Sequence, residues 1–329
     1  MSRKMLLTAA IVAIAYLGGA SADAAAPRDK WCKDVHIRFF VGGAEGDAFG
    51  TIVYNGAKQA QNDTGAQVEF VFSGWNVEKM VQQLREAVAS KPDGIAMMGH
   101  PGDDAIMPLA EQAAKAGIRM MYQNVPVPKV VAAYGGGYVG AQQEPQGRAL
   151  GAEAVKLGGL KAGDTVIMIG PFNNENRGAR ERGTVKALEE AGVKVVKIDS
   201  VPEWASDPNL ALPVITAAIL NNPTLKAIGY PGGQILGNVP TYMQAAKKKP
   251  GELFNFGFDT SPQVVEAFNA GWVQLTADQQ PFQQGYLPIL NLCEQVVYGL
   301  SPLNADTGAG FVTTDNYKKV GALATEGLR

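Results

Sequence analysis

Nine short apolar runs constrain this 329-residue chain more than any other feature. They cover residues 35–41, 68–72, 94–98, 118–122, 165–169, 193–198, 227–230, 254–258 and 272–276. Runs this short, with few charges, read as strands buried on both faces. Amphipathic stretches separate them. Residues 77–90 place Met80, Val81, Leu84, Ala87 and Val88 on one stripe, with Asn76 as N-cap. Residues 104–116 repeat the pattern and stop at Gly117; residues 178–191 stop at Gly192. Asp207 before Pro208 reads as an N-cap with proline at the first helical position. Repeated strand–helix alternation predicts an α/β fold with mostly parallel sheets and helices on both faces. Nine strands are many for one sheet. An irregular Pro- and Gly-rich stretch, 124–140, interrupts the series, which resumes near Gln143 with similar spacing. Two similar three-layer α/β/α domains are therefore expected, with a ligand cleft beyond the carboxyl ends of the strands.

One stretch has a different character. Arg3 and Lys4 precede an apolar run from Leu6 to Leu17, and Ala20, Ser21, Ala22 and Ala24 follow it. That run is shorter than the roughly 20 residues needed to span a bilayer. Residues 1–24 are expected to form a secretory signal peptide, an uncleaved anchor being the alternative. The remainder would then be exported to the periplasm. Without Arg3, Lys4 and Asp23, the 29 bases and 31 acids become 27 and 30, net −3. That balance argues against a nucleic-acid partner bound through its phosphates. Two cysteines do not make a disulfide scaffold, and two histidines do not build the usual zinc sites. No cofactor and no metal are expected.

Candidate binding residues sit at the predicted strand ends. Loop 42–50 opens a helix after the first strand. It lacks the G-x-G-x-x-G spacing, and Glu45 and Asp47 would repel a pyrophosphate. Asp47 can accept hydrogen bonds from hydroxyls and Phe49 offers a ring face; the plainer alternative is a turn with a core phenylalanine. His100 follows run 94–98, and a neutral imidazole both donates and accepts. With Asp103 and Asp104 it could hold a metal, but the two aspartates equally suit a helix N-terminus, the preferred reading. His36, inside the first run, reads as a buried or edge residue. Three arginines lie near a helix start at 176–183. Arg177 and Arg180 read as a solvated face, and Arg182, beside Gly183, as the ligand contact. Asp259, Gln279 and Trp204 each follow an apolar run. No Ser–His or Cys–His pairing is apparent, so no enzyme is expected. Acids, amides, an arginine and aromatic rings suit a hydroxyl-rich ligand.

Four segments carry a family likeness: Ala179-Arg180-Glu181-Arg182-Gly183, Gly257-Phe258-Asp259-Thr260-Ser261-Pro262, Lys91-Pro92-Asp93-Gly94-Ile95, and Val139-Gly140-Ala141-Gln142-Gln143 with Gly147. The chain resembles the periplasmic sugar-binding proteins of ABC transporters, the ribose-binding-protein-like group of the type I fold. The resemblance covers nearly everything after the N-terminal stretch. It implies a monomer whose two lobes close by hinge motion on a monosaccharide or polyol and deliver it to a membrane permease. A sensing module facing a chemoreceptor or sensor kinase is the alternative, and an exported sugar enzyme a remote one. It places Asp47, Phe49, His100, Asn124, Gln142, Arg182, Trp204, Asp259 and Gln279 at the ligand. Trp75 either adds a ring or covers a helix start. Gly50 stands where the family often has a second aromatic, Val125 where it has an arginine, and Gly232-Gly233 where it has Asn-Asp. A standard ribose pocket is therefore not implied, and the choice among sugars and polyols stays open. The resemblance further implies chain crossings near 138–142, 279–281 and 307–311, giving lobes of 27–139 plus 281–308 and 140–280 plus 309–329. On that map Cys32 and Cys293 share a lobe, which makes a disulfide between them an expectation.

Overall fold

A computed structural model describes residues 29–308 and 310–329. The signal peptide expected at 1–24 lies outside the described residues. In chain order the strands are β1 (His36–Phe40), β2 (Gln67–Val71), β3 (Gly94–Met98), β4 (Arg119–Gln123), β5 (Gly137–Gly140), β6 (Thr165–Gly170), β7 (Lys194–Asp199), β8 (Leu225–Tyr230), β9 (Phe254–Phe258), β10 (Leu275–Asp278), β11 (Asn304–Asp306) and β12 (Gly310–Thr313). They form two six-stranded sheets, ordered β11-β5-β4-β3-β1-β2 and β12-β10-β9-β8-β6-β7. Every pairing in the first sheet is parallel. In the second, only β12 runs antiparallel, against β10. The two sheets repeat one doubly wound order, each closed by a late strand. The chain passes between them after β5, after β10 and after β11.

The alternation of side chains shows why each sheet needs helices on both faces. Along β6, Ile167 and Ile169 point into one cluster with Ile228, Tyr230, Tyr242 and Trp272. Val166 and Met168 point into another with Phe256, Phe258, Leu150 and Leu188. Successive strand residues face opposite sides, so both faces of this sheet are buried. The first sheet packs Ile37, Phe39, Ile95, Met97 and Tyr122 in a single large core.

All nine apolar runs become strands, the last starting at Leu275 because Trp272 and Val273 fill the core before the ladder begins. Asn76 accepts a hydrogen bond from the Lys79 N–H at 2.8 Å, as an N-cap should. Three strands lacked an apolar signal. β5 hides in the irregular stretch 124–140, together with helix Pro128–Tyr134, and β11 and β12 are only three and four residues long. His36 stands exposed at the start of β1, which pairs on both sides, so it is neither buried nor on an edge.

The long helix Pro281–Tyr298 brings the returning chain back onto the first sheet, against helix Ala48–Thr64. The two approach closely. A Cβ on Gly56 would overlap the Phe282 carbonyl, and one on Gly285 the Val53 carbonyl. Cys32, just ahead of β1, is bonded to Cys293 in that helix, with Cα atoms 5.7 Å apart. The bond joins positions 261 residues apart and is buried at both ends. Beside it Trp31 stacks on Tyr298, ring centroids 5.0 Å apart.

Reduction of the unfolded chain should therefore add two hydrogens to its intact mass. Cys293→Ala should cost about 2–4 kcal/mol of unfolding free energy in a urea titration. An unchanged midpoint would show that the cross-link contributes nothing to stability.

Candidate functional site

The carboxyl ends of both sheets meet at a cavity of about 160 Å³. From the first sheet's side it is lined by Phe49, Trp75, Val77, His100 and Asn124. From the other come Arg177, Arg180, Ser200, Gln234, Asp259 and several apolar residues, with Gln279 on the connection that leaves β10. Three lining residues hold positive φ: Trp75 at 60°, Asn124 at 64° and Asp259 at 72°. Asn and Asp tolerate this region; a tryptophan there is a genuine outlier. Strain of about 1–3 kcal/mol per residue collects where surrounding structure holds a side chain for a purpose.

The second-sheet wall is built around an acid. Glu181 is 0% exposed, and its Oε1 accepts from Arg177 Nη1 at 2.8 Å and Arg180 Nε at 3.1 Å. Both arginines also donate to the Pro231 carbonyl. The Arg180 guanidinium lies 4.2 Å from the Phe258 ring centroid, a cation–π contact. Its helix, Ala179–Glu190, is fixed against helix Gln143–Leu157: a Cβ on Gly147 would overlap the Arg180 carbonyl, and one on Gly183 the Glu144 carbonyl. Asp259 ends β9. Its carboxylate accepts from Gln279 Nε2 and, at 3.4 Å, from the Gly233 N–H. Gly233 lets that loop pass close, since a Cβ there would stand 3.3 Å from the Asp259 Cβ. Burial raises the pKa of Asp259, and the nearby Arg180 charge opposes that rise.

The first-sheet wall is aromatic. Phe49 and Trp75 lie with centroids 5.9 Å apart, and Trp75 and His100 5.1 Å apart. Asp47 caps helix Ala48–Thr64 through the Gly50 N–H and holds the Trp75 Nε1–H at 3.0 Å. His100 is buried, with Nδ1 free of any protein partner. Burial first, then the charges of Arg177 and Arg180, push its pKa well below 6.5, so the ring is neutral. Asn124 bridges to the connections: its Nδ2 donates to Gln279 Oε1 at 3.1 Å and Gln284 Oε1 at 3.0 Å.

Six of the ten residues expected at the ligand line this cavity: Phe49, Trp75, His100, Asn124, Asp259 and Gln279. Four do not. Asp47 stands behind the wall and positions Trp75; it also accepts from Gln234 Nε2 across the cavity at 2.8 Å. Gln142 is exposed, and its neighbour Gln143 is the buried one, donating to the Asn124 carbonyl at 2.8 Å. Trp204 is buried in the core of the second half, while Val201, Pro202 and Ala205 face the cavity. Arg182 donates to the carbonyls of Phe172, Asn174 and Glu175 and so ties down the loop before its own helix. Arg180, 3% exposed, and Arg177, expected on a solvated face, line the cavity instead. Helix geometry explains the exchange: residues two apart project about 200° from each other. Gly183, beside Arg182, serves helix packing. Asp103 and Asp104 open helix Asp103–Lys115, and among the described residues no cluster of three His, Cys, Asp or Glu is placed to hold a metal. The Arg177–Glu181 pair, four apart across the helix start, was the one sequence signal pointing to these arginines.

Residues 38–299 match the model of a periplasmic binding protein domain. The chain is similar to the xylose/arabinose-binding protein XylF of Sulfolobus acidocaldarius, 26% identical over 254 residues. That match covers 72% of this chain but spans only 60% of the curated relative. A carbohydrate transporter from Acidothermus cellulolyticus, solved with myo-inositol, superposes with a TM-score of 0.77 at 22% identity, over 90% of this chain and 99% of that one. An ABC transporter solute binding protein from Agrobacterium vitis, solved with D-fucose, gives 0.78 at 20%, over 88% and 99%. At these identities the two structures share the fold.

The wall yields two predictions. Arg180→Ala should cost about 3–5 kcal/mol, because it strips a partner from a buried carboxylate. Arg182→Ala, at a half-buried position, should cost less, about 1–2 kcal/mol; the reverse order in urea unfolding would refute this assignment. For His100, the unfolded ring takes a proton below about pH 6.5 and the folded ring does not until lower pH. Stability is thus lost as pH falls below 6.5. His100→Asn should lose less melting temperature between pH 7 and pH 5 than the parent, and equal losses would show that the ring is not held neutral.

Proposed function

Because the chain belongs to the periplasmic binding protein family, we propose that it captures a small, uncharged sugar or sugar alcohol between its two sheets and passes it to an ABC-type membrane permease. One observation carries this reading. The cavity wall balances its own charge: Arg177 and Arg180 stand against Glu181 and Asp259, beside a neutral imidazole and amides. A ligand bringing a net charge would unbalance that wall in a low-dielectric site. Hydroxyls suit it, since they both donate and accept. Phe49, Trp75 and the apolar residues of the other wall give the C–H faces of such a molecule a surface to pack on.

Size supports the same class. The cavity, about 160 Å³, lies below the roughly 300–1,000 Å³ typical of drug-sized sites. Xylose, arabinose, myo-inositol and D-fucose, named with the relatives, are all small, uncharged and polyhydroxylated. Micromolar affinity asks for about 8 kcal/mol net. Several charge-assisted hydrogen bonds and two ring contacts can supply it after desolvation and closure. In this reading residues 1–24 direct export to the periplasm. The lobes are 27–139 plus 281–308 and 140–280 plus 309–329, and they swing about the connections at Ala141, Gln279 and Thr307. The family comprises binding proteins of transport systems and not enzymes.

Purified protein without residues 1–24 should be screened by thermal shift against D-xylose, L-arabinose, D-fucose, myo-inositol, D-ribose and, as a charged control, D-glucuronate. At a hundredfold excess over Kd a true ligand adds about 2.7 kcal/mol, a rise of several degrees. A neutral member of the set should give it and quench or shift the tryptophan emission; Trp75→Phe should lose the emission change and Arg180→Ala the thermal shift. A response to glucuronate alone, or to none of the set, would overturn the proposal.

A further inference from the structure

Asn176 is absent from the cavity wall, yet it joins the two halves of the molecule. It lies in the loop between β6 and helix Ala179–Glu190, on the second sheet's side. Its Nδ2 donates to Asp103 Oδ2 and to the Pro126 carbonyl, both at 3.0 Å, and both acceptors belong to the half built on the first sheet. The two hydrogens of the amide are thereby both used.

Each side of this contact is held rigid. Asp103 is buried, and its other oxygen accepts from the Val130 N–H at 3.0 Å. It cannot turn away without uncapping helix Pro128–Tyr134. On the other side, Asn174 Oδ1 accepts from the Arg177 N–H at 2.8 Å. Arg182 grips three carbonyls of the same loop, those of Phe172, Asn174 and Glu175. The side chain that sequence reasoning assigned to the ligand thus stiffens the arm that carries Asn176.

We propose that Asn176 is the closing latch of this protein, a positioning residue that holds the two halves together over the cavity through protein groups alone. Of the other links between the halves, Gln234 to Asp47 involves a lining residue and mixes closure with ligand contact, while Asn55 Nδ2 donates to the Gly327 carbonyl near the chain's end at 3.1 Å. Asn176 and Asp103 line nothing, so their bond acts on the open–closed equilibrium only. Whatever fraction of the free protein it keeps closed is binding-competent, and apparent affinity scales with that fraction. This inference goes beyond the proposed ligand class and does not depend on it.

The test uses the ligand-free protein. A pair of spin labels or fluorophores, one on each half at the exposed positions Glu86 and Lys197, reports the distance between them. The parent should show a mainly closed distribution. Asn176→Ala should move the closed-to-open ratio at least about tenfold toward open, as the loss of a bond to a charged acceptor predicts. Asn176→Asp should open the molecule further, because two carboxylates then face each other. Both variants should keep the parent's circular dichroism and melt within a few degrees of it, which a merely structural role would not combine with a changed distance. Parent-like distances in both folded variants would overturn the proposal.

Discussion

A single buried carboxylate organises the second-sheet wall of the cavity. Glu181 lies at 0% exposure, with its charge shared by Arg177 and Arg180. Removing such an acid from water is costly unless partners face it with good geometry. The two arginines meet that need, and in doing so they are drawn to the cavity wall and held there. Each has a second anchor on the Pro231 carbonyl, and Arg180 a third on the Phe258 ring. Neither guanidinium is left to search for an orientation. Preorganisation of this kind cuts the ordering cost of binding, which is where affinity in small sites is most easily lost.

The fold delivers these groups because it says the same thing twice. Each half winds its first five strands in one order, so each has its switch point and its carboxyl edge in an equivalent place. The connections between the halves are polar and mutually bonded. Asn124 reaches Gln279 and Gln284, Gln284 reaches Thr307, and Gln280 reaches the Thr307 carbonyl. The cavity wall and the connections therefore share the residues Asn124 and Gln279.

Much of this was legible in the residue order, and what was missed follows from geometry that one dimension hides. Apolar runs of four to seven residues announced nine of the twelve strands among the described residues. β5, β11 and β12 escaped because three- and four-residue strands rich in Gly, Asn and Asp carry no apolar run. Strand-end position drew attention to His100 and Asp259, and both line the cavity at the carboxyl edge of the sheets. Helical phase was the weak point. Arg180 and Arg182 have the same chemistry two residues apart, yet one turns inward and the other ties a loop. Gln142 and Gln143 differ by a single step at a helix start, with the same result. Trp204 lies off the cavity for another reason: a large ring beside a cleft gains more from burial in the core than from a share of a small cavity.

The placement of strain completes the physical picture. Trp75, Asn124 and Asp259 all stand at positive φ, from different strand ends and both sheets. None is a glycine, so each conformation is maintained by contacts elsewhere: the Asp47 carboxylate on the indole of Trp75, the Val139 carbonyl accepting from the Asn124 N–H at 3.1 Å, and the Ala277 carbonyl accepting from the Asp259 N–H at 2.8 Å. In each case the bond that holds the strained residue belongs to a neighbouring strand or helix cap, not to the cavity. The rigid parts of the fold thus hold the flexible-looking parts of the site. Each of the three is held by a group from its own half of the fold, so each wall is finished without the other.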